Sequence, residues 1–508
     1  MSETGRIKLA HISRRPYVAG GGMERMDYYL YKYLSREYFD PRFVILNDIQ
    51  PGDVPYDDSV DYIYLDKINR FDQLIKLLQD VDVVSYSAVD RFQPLICEAA
   101  RLSKTPSLVE IMVTKMPGQL YDHIDLTVCV SKTVRNEQPD KEKTVVIYNG
   151  VDRDEFSYKR KKRDGGKIVL LQVCRREKEM FFHLDELADQ IFAITPDVEL
   201  WLAGRGQTGD RSGKVKFYGL APDIAKLDTQ ADLFVLLSKT EGLPLAVMEA
   251  MACGSVPIVS DEPSLAEVVT DGVDGFVVNA ESQSEVVSKI KLAVEMAQSG
   301  AIDKMRKAAR KTIEEKFDIR KTVREYEKVF AEIVDKKGRR QQPGPATAEP
   351  TPEVDIYEAL DHYHAERWDD AVHCFTNMTE RSSPLTIDTY FSVTENFILL
   401  CETNGLADLS DALIKKLYES GYRQESFINF WRAISLARPS RFTADSVLNH
   451  SQVNQDPKPD TYMRSALLLL REGLKEHGAS VLSKGMKRWP DMKEFKELYK
   501  NLSKKLKL

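Results

Sequence analysis

Two glutamates, Glu241 and Glu249, stand with seven residues between them in the segment EGLPLAVMEAMACGSVP (241–257), between strand-like stretches. At about 3.6 residues per helical turn, such positions fall within a quarter turn of each other and face one crevice. Open α/β sheets bind ligands at the carboxyl ends of their strands, and a helix N-terminus there favours an anion. The pattern predicts a site for a phosphorylated ligand whose hydroxyls the carboxylates bind. An ordinary buried amphipathic helix is the alternative.

A glycine run precedes the first expected helix. Gly20, Gly21 and Gly22 stand between a strand predicted over 7–13 and a helix predicted over 23–35. Glycine lets the backbone approach a ligand closely, and the helix start behind it favours an anion. The spacing is not the G-x-G-x-x-G of dinucleotide sites. The run therefore predicts a phosphate-binding loop, with a flexible turn as the alternative.

A cationic cluster follows the strand predicted over 167–174. Arg175, Arg176 and Lys178 stand directly after it. Cations at the carboxyl end of a strand can neutralise a leaving diphosphate. We therefore expect two of the three to contact phosphate, and a solvated surface cluster is the alternative.

Strand-like and helix-like stretches alternate over the first two thirds of the chain. Strands are predicted over 7–13, 42–47, 60–65, 81–86, 107–113, 125–130, 144–147, 167–174, 198–203, 215–219, 232–238, 258–261 and 275–278. Helices are predicted over 23–35, 71–78, 93–102 and 264–270, and from about 282, 302 and 319. The alternation predicts an α/β protein with mostly parallel sheets covered on both faces.

Composition restricts the class of protein. The 508 residues suggest about three domains. The net charge of −7 argues against nucleic-acid binding as the main activity, and six scattered cysteines lack metal-ligand spacing. Neither a signal peptide nor a membrane-length apolar run is visible, which predicts a cytoplasmic protein. Peripheral contact with the inner face of the cell membrane stays open.

The segment 241–257 resembles the Glu-x7-Glu signature of retaining glycosyltransferases of family 4, which have the GT-B fold. The Gly21–Glu24 loop and the Asn149-Gly150-Val151-Asp152 string also resemble that family's diphosphate loop and inter-domain junction. The resemblance covers 6–335. It implies two Rossmann-like domains facing across a cleft and a metal-independent hexosyltransferase. No cofactor is expected, and the co-substrate is a nucleotide-sugar, with a UDP-sugar favoured over a GDP-sugar.

The resemblance also implies roles for the two acidic residues and their neighbours. Glu249 binds the ribose hydroxyls of the donor, and Glu241 holds the hydroxyls of the donor sugar. Leu245 belongs to the donor-binding set, and the turn at Leu220 places backbone atoms near the base. We expect Glu249→Ala to weaken donor binding severely and to leave the fold intact.

Four further residues are implied to stabilise the charge of the diphosphate. They are the backbone amides of Gly21 and Gly22 and the side chains of Arg175 and Lys178. Arg176 competes for the role of Arg175, because the loop is shorter than the family's.

One departure concerns the base. Many family members carry a histidine after the strand equivalent to 107–113, and none stands there in this chain. Glu110 is a substitute candidate, although a structural role fits it better. His11 and His123 are expected to be structural. Front-face transfer needs no side-chain base, because the departing phosphate oxygen can take the acceptor's proton.

The resemblance over 6–335 and the composition of the chain beyond it predict the following domain organisation. An acceptor-side domain spans 1–150 with a crossover helix at about 319–335, a donor domain spans 151–318, and a linker spans 336–353. An all-α domain over 354–508 resembles tetratricopeptide (TPR) repeats, because the segment 365–375 matches half of a TPR helix pair. An irregular helical bundle is the alternative there.

Two functions remain open at this point. The first is a glycosyltransferase acting on a glycan, lipid-linked or protein acceptor, with a protein partner on the TPR-like domain. The second is a catalytically weakened nucleotide-sugar-binding scaffold that works through that domain. Labelled nucleotide-sugars would separate them, because a scaffold binds without turnover.

Overall fold

A computed structural model describes most of the first 338 residues. Its ranges are 5–16, 21–46, 60–65, 70–87, 92–115, 118, 123–158, 166–206, 209, 213–221 and 223–338, with 398, 402, 410–411, 462, 466, 475–488 and 490 beyond them. All structural statements below concern these residues.

The first half of the described chain forms one sheet. Its strands are β1 (Ile7–Ser13), β2 (Phe39–Ile45), β3 (Tyr62–Tyr64), β4 (Val83–Ser87), β5 (Ser107–Met112), β6 (Leu126–Cys129) and β7 (Thr144–Val146). The order is β3-β2-β1-β4-β5-β6-β7, and all the pairs are parallel. The central strands β4 and β5 are buried along their whole length, as expected for a parallel sheet covered on both faces.

The second sheet follows after residue 158. Its strands are β8 (Ile168–Val173), β9 (Val198–Ala203), β10 (Val215–Gly219), β11 (Leu233–Leu236), β12 (Val256–Ser260) and β13 (Phe276–Val278). The order is β10-β9-β8-β11-β12-β13, again with parallel pairs. Each sheet changes strand order beside its first strand, which is the Rossmann-like arrangement in which ligands bind at the carboxyl edge.

The helices connect the strands and cover the sheets. They are α1 (Gly22–Tyr33), α2 (Arg70–Leu78), α3 (Gln93–Leu102), α4 (Lys132–Asn136), α5 (Ala188–Ile194), α6 (Ile224–Gln230), α7 (Leu245–Cys253), α8 (Pro263–Ala266), α9 (Gln283–Ser299), α10 (Asp303–Lys316), α11 (Ile319–Lys337) and α12 (Lys475–Arg488). The prediction of an α/β protein with two parallel Rossmann-like sheets is therefore confirmed.

The two halves, hereafter the first lobe and the second lobe, meet where the chain crosses between them twice. The backbone N–H of Val151 donates to Phe317 at 2.8 Å, and that of Ile319 donates to Val151 at 3.1 Å. A Cβ at Gly150 would lie 2.5 Å from the Cα of Ile319, so only glycine fits there. After the second crossing, α11 packs against α1 and β5 of the first lobe.

The C-terminal third can be described only at α12 and a few helical positions. The predicted linker over 336–353 lies almost entirely outside the described residues, as does most of the predicted TPR-like domain over 354–508. Among the helices that the structure describes, none has the length and apolar character needed to cross a bilayer.

Candidate active site

The helix that carries Glu249 begins later than its sequence pattern predicts. Pro244 occupies the N-cap of α7, so Glu241 lies in the preceding loop and not on the helix. The two carboxylates therefore do not share a helical face, and that part of the prediction is wrong. At the other end, Gly254 closes α7 with a φ of 88°, which glycine adopts readily.

The partners of Glu241 belong to its own lobe, the second. Its carboxylate forms an ion pair with Lys178, and both side chains are largely buried. Its backbone carbonyl accepts a hydrogen bond of 2.9 Å from the hydroxyl of Ser264 in α8. The structure thus brings two of the predicted site residues together, the acidic residue and the cation.

The loop of Glu241 also contacts the first lobe. A Cβ at Gly242 would lie 1.9 Å from the carbonyl oxygen of Val113, at the end of β5. The amide of Asn149 donates to the carbonyl of Leu243 at 3.2 Å. The motif loop is therefore pressed against the carboxyl edge of the first sheet, and Gly242 is required by this close approach.

The carboxylate of Glu249 pairs with a residue of the first lobe. This carboxylate forms an ion pair with Arg25 of α1, and both side chains are buried. One turn nearer the start of each helix, a Cβ at Gly22 would lie 3.6 Å from the side chain of Leu245. Helices α1 and α7 therefore meet at their N-termini, which brings the predicted residues Gly22, Leu245 and Glu249 together. Gly21 takes the N-cap of α1 at the same junction.

Burial governs the protonation of the carboxylates in this region. Burial raises the pKa of Glu249, and the neighbouring guanidinium of Arg25 lowers it. Asp228 of α6 is completely buried, and neither of its carboxylate oxygens has a hydrogen-bond partner among the described residues. Burial, and then the charge of Glu249, hold the pKa of Asp228 well above its usual range. Among the described residues, the guanidinium of Arg25 lowers the pKa of both Glu249 and Asp228, and Glu155 is a further acidic group that acts on Glu249.

The two arginines of the cationic cluster after β8 differ in whether acidic side chains contact them. Arg176 is engaged by Asp185 at 2.6 Å and by Glu186 at 3.2 Å. Arg175 is exposed, and among the described residues its guanidinium forms no ion pair. Of the two competing arginines, Arg175 is therefore the one available to a ligand.

The remaining predicted donor-site residue is Leu220. Leu220 follows β10, and its side chain is 55% exposed. The structure thus leaves Leu220 at the surface of the second lobe.

The three residues considered as a base each have polar partners within the first lobe. Glu110 is fully buried and accepts hydrogen bonds from Tyr86, Gln93 and Thr127. His11 is buried between Ser85 and Asp27, at 2.8 and 3.1 Å. The ring of His123 lies 2.9 Å from the backbone carbonyl of Cys97.

Several residues that the sequence did not single out also join the lobes. Lys115, just beyond β5, forms an ion pair with Glu262, which caps α8. Glu267 accepts hydrogen bonds from the backbone N–H groups of Lys132 and Thr133 at 2.9 and 2.8 Å. The phenol of Tyr148 donates to the same carboxylate at 3.0 Å. Such pairs need a tertiary structure, and no local sequence signal marks them.

A comparison with known families finds a match in the second lobe. Residues 153–312 match the family model described as "Glycosyl transferases group 1". This segment contains all of the second sheet and the α7 motif.

Two relatives indicate how far the similarity extends. The UDP-Gal:alpha-D-GlcNAc-diphosphoundecaprenol alpha-1,3-galactosyltransferase of Escherichia coli is 25% identical over 390 residues, covering 66% of this chain and 99% of the relative. The N,N'-diacetylbacillosaminyl-diphospho-undecaprenol alpha-1,3-N-acetylgalactosaminyltransferase of Campylobacter jejuni is 37% identical over 84 residues. That match spans 16% of this chain and only 22% of the relative.

Solved structures show the same architecture. The HepE protein of Anabaena in complex with UDP-glucose superposes with a TM-score of 0.51 at 16% identity, covering 64% of this chain and all of HepE. A sucrose-phosphate synthase of Thermosynechococcus elongatus gives a TM-score of 0.53 at 14% identity, covering 65% of this chain and all of that chain. The chain therefore has a GT-B-like fold, and its second lobe is similar to the group 1 glycosyl transferases.

Proposed function

We propose that this protein is a glycosyltransferase that moves a sugar from a nucleotide-sugar donor to a lipid-linked or glycan acceptor, with retention at the anomeric carbon. The junction of α1 and α7 at Gly22 and Leu245 carries the proposal. Two helix N-termini converge there, one from each lobe, and their free N–H groups favour a diphosphate. Glu241, in the loop that leads into α7, forms an ion pair with Lys178 from the segment after β8.

The donor is held by groups on both sides of the junction. The amides of Gly21 and Gly22, with Arg175 and Lys178, take the charge of the diphosphate. Glu249 accepts hydrogen bonds from the ribose hydroxyls, since a carboxylate can accept two such bonds.

The reacting sugar lies beside Glu241. Its hydroxyls compete with Lys178 for this carboxylate, so binding frees Lys178 for the diphosphate. The turn at Leu220 contacts the base through backbone atoms. A UDP-sugar is the favoured donor, since HepE is described in complex with UDP-glucose and the Escherichia coli relative is named for UDP-Gal.

The transfer step needs no protein base. The acceptor oxygen forms a bond with the anomeric carbon on the face that the diphosphate leaves. The bond between that carbon and the phosphate oxygen breaks, and its electron pair departs with the diphosphate. The acceptor's proton passes to the departing phosphate oxygen, so charge and atoms balance. This route agrees with the structural role of Glu110, which its three hydrogen-bond donors hold in the core.

The acceptor class follows from the names of the relatives. Both enzymes carry a diphosphoundecaprenol-linked sugar in their names. We therefore propose a lipid-linked saccharide as acceptor, met at the surface of a membrane. Within the proposed organisation, 1–150 with the crossover helix contacts the acceptor, 151–318 binds the donor, and the region beyond residue 353 serves a protein partner.

The experiment is a donor screen on the full chain. Radiolabelled UDP- and GDP-sugars are supplied with a short polyprenyl-diphosphate sugar, and transfer is measured by chromatography. The anomeric configuration of the product is read by NMR. We expect transfer from a UDP-sugar with the donor's configuration. Inversion would contradict the retaining mechanism, and nucleotide binding without any turnover would favour the scaffold.

Matched variants identify the site in the same assay. Lys178→Met removes the cation paired with Glu241 and is expected to reduce kcat by about 100-fold. Lys328→Met is the control, because Lys328 is an exposed lysine of α11 whose partner is its helical neighbour Glu332. Equal activities of the two variants would exclude Lys178 from the site.

A further inference from the structure

The strongest feature that the proposed function leaves unused is the guanidinium of Arg25. It is a first-lobe side chain buried to 8% exposure, and it faces a second-lobe carboxylate buried to 6%. A buried ion pair is not favourable simply because it exists, since desolvation costs several kcal/mol per ion. Stability alone therefore does not explain why this ion pair lies between the lobes, and a role in ligand binding is considered next.

The geometry fixes Arg25 tightly. Its guanidinium carbon lies 5.2 Å from the ring centroid of Phe156, so the cation stacks on an aromatic face while it reaches across to Glu249. The contact of Gly22 with Leu245 repeats the alignment one turn earlier. Two successive turns of α1 thus contact two successive turns of α7. The orientation of the Glu249 carboxylate is therefore set by Arg25, a residue of the other lobe.

The ion pair leaves acceptor capacity on the carboxylate. Arg25 contacts Oε1 of Glu249, and a carboxylate offers about four lone-pair positions on its two oxygens. Oε2 can still accept from a hydroxyl. A carboxylate fixed on one oxygen and open on the other is arranged to receive a vicinal diol.

We propose that Arg25 is a positioning residue for the donor: it orients the carboxylate of Glu249 from the opposite lobe, so that recognition of the nucleoside diol needs both lobes. The inference rests on the proposed function, because it takes the ligand to be a nucleoside diphosphate. No contact between Arg25 and the ligand is required.

The charges around Glu249 give the proposal a distinctive pH signature. Arg25 and Tyr29 face it from α1, Asp228 from α6, Glu155 from the segment after β7 and Cys253 from its own helix. Arg25 is the cation in this set, and it lowers the pKa of Glu249 against the effect of burial. Without Arg25 the carboxylate takes up a proton at a higher pH than in the wild type.

The test is the binding of UDP to the full chain by calorimetry, at several pH values between about 5.5 and 8.5. Arg25→Met is expected to weaken binding by at least about tenfold at pH 7.5 and to weaken it further as the pH falls. Arg25→Lys keeps a cation and is expected to recover part of the affinity. Arg36→Met is the control, because Arg36 also stacks on an aromatic ring, that of Tyr31, at 4.6 Å and lies near the exposed end of α1.

A second variant separates orientation from a general loss of structure. In the double variant Arg25→Met with Glu249→Gln, no carboxylate is left to titrate, so weak binding is expected to be independent of pH. The double variant also removes the unpaired buried charge, so it remains informative if Arg25→Met alone fails to fold.

The possible outcomes show whether the role of Arg25 or the proposed glycosyltransferase function is wrong. Wild-type affinity in Arg25→Met, or a loss that is equal at every pH, would overturn the role of Arg25. An absence of UDP binding to the wild type, with a folded protein by circular dichroism, would instead overturn the proposed function.

Discussion

The two glutamates of the motif have different physical situations despite their shared segment. Glu241 pairs with Lys178 of its own lobe, whereas Glu249 pairs with Arg25 of the other. The spacing of the two acids in the sequence singled them out, whereas Lys178 was chosen from its cluster only through the resemblance to the glycosyltransferase family. The sequence did not indicate Arg25 as a partner, since 224 residues separate that arginine from Glu249.

Glu249→Ala is expected to weaken UDP binding by at least about tenfold. The structure changes the expectation that this variant leaves the fold intact. Removing one partner of a buried ion pair leaves an unpaired charge, which costs about 3–5 kcal/mol. Calorimetry with UDP and urea unfolding measure the two effects, and Glu281→Ala, at an exposed loop glutamate, is the control. Unchanged UDP affinity would remove the assignment.

Asp228→Asn is expected to stabilise the protein increasingly as the pH rises. The pKa of Asp228 is raised in the folded state, whereas an unfolded aspartate titrates near about 3.9. Above that pH the folded protein holds a proton that the unfolded chain releases, so wild-type stability falls as the pH rises. Asparagine removes this dependence.

Urea unfolding at about pH 5 and pH 8 checks the Asp228 prediction. The gain in the free energy of unfolding should be larger at pH 8. An equal difference at both values would show that Asp228 is ionised in the fold.

At the scale of elements, the sequence predicted long buried stretches well and short ones poorly. Strands β9 and β10 and helix α3 have the predicted bounds, because a glycine marks the end of each strand and a clear helical period defines the helix. The short helices α4, α5 and α6 were not predicted, since five to seven residues carry too little periodicity. Helix α7 begins only after Pro244, so Glu241 lies in the preceding loop and does not share a helical face with Glu249.

Gly242→Ala is expected to lower kcat by about 100-fold, because displacing a reacting group by about 1 Å has such effects. The added Cβ would lie 1.9 Å from the carbonyl oxygen of Val113, so the motif loop must move away from β5. Steady-state kinetics measure the loss. Gly5→Ala is the control, because a Cβ there meets nothing within 4 Å. Wild-type kcat in Gly242→Ala would mean that this contact does not position Glu241.

At the scale of the whole molecule, the first lobe is completed by a helix from the far end of the second. The buried side chains of α11 include Val323, Tyr326, Phe330, Ile333 and Val334. The ring of Phe330 lies 6.4 Å from that of Phe39, and Glu327 accepts from the backbone of Ser35 at 2.6 Å. A crossover helix at about 319–335 was implied only by resemblance, since nothing in its own pattern says which sheet it covers.

Truncation tests this arrangement. A fragment of residues 1–338 is expected to unfold cooperatively and to bind UDP, whereas 1–318 is not expected to fold. Burial of a large apolar side chain contributes about 1.5–3 kcal/mol, so losing α11 removes roughly 10 kcal/mol, which equals the stability of a typical domain. Circular dichroism and thermal unfolding compare the fragments. A stable 1–318 would show that α11 is dispensable.

The paired crossings at Val151 and Ile319 also restrict how the cleft opens. A lone connecting strand would let the halves swivel freely about it. Two backbone segments that are hydrogen-bonded side by side, with Gly150 packed against Ile319, resist torsion and yield mainly to bending. Opening then follows mainly one arc, so under the proposed function the nucleotide and the glycosylated product leave through the same gap.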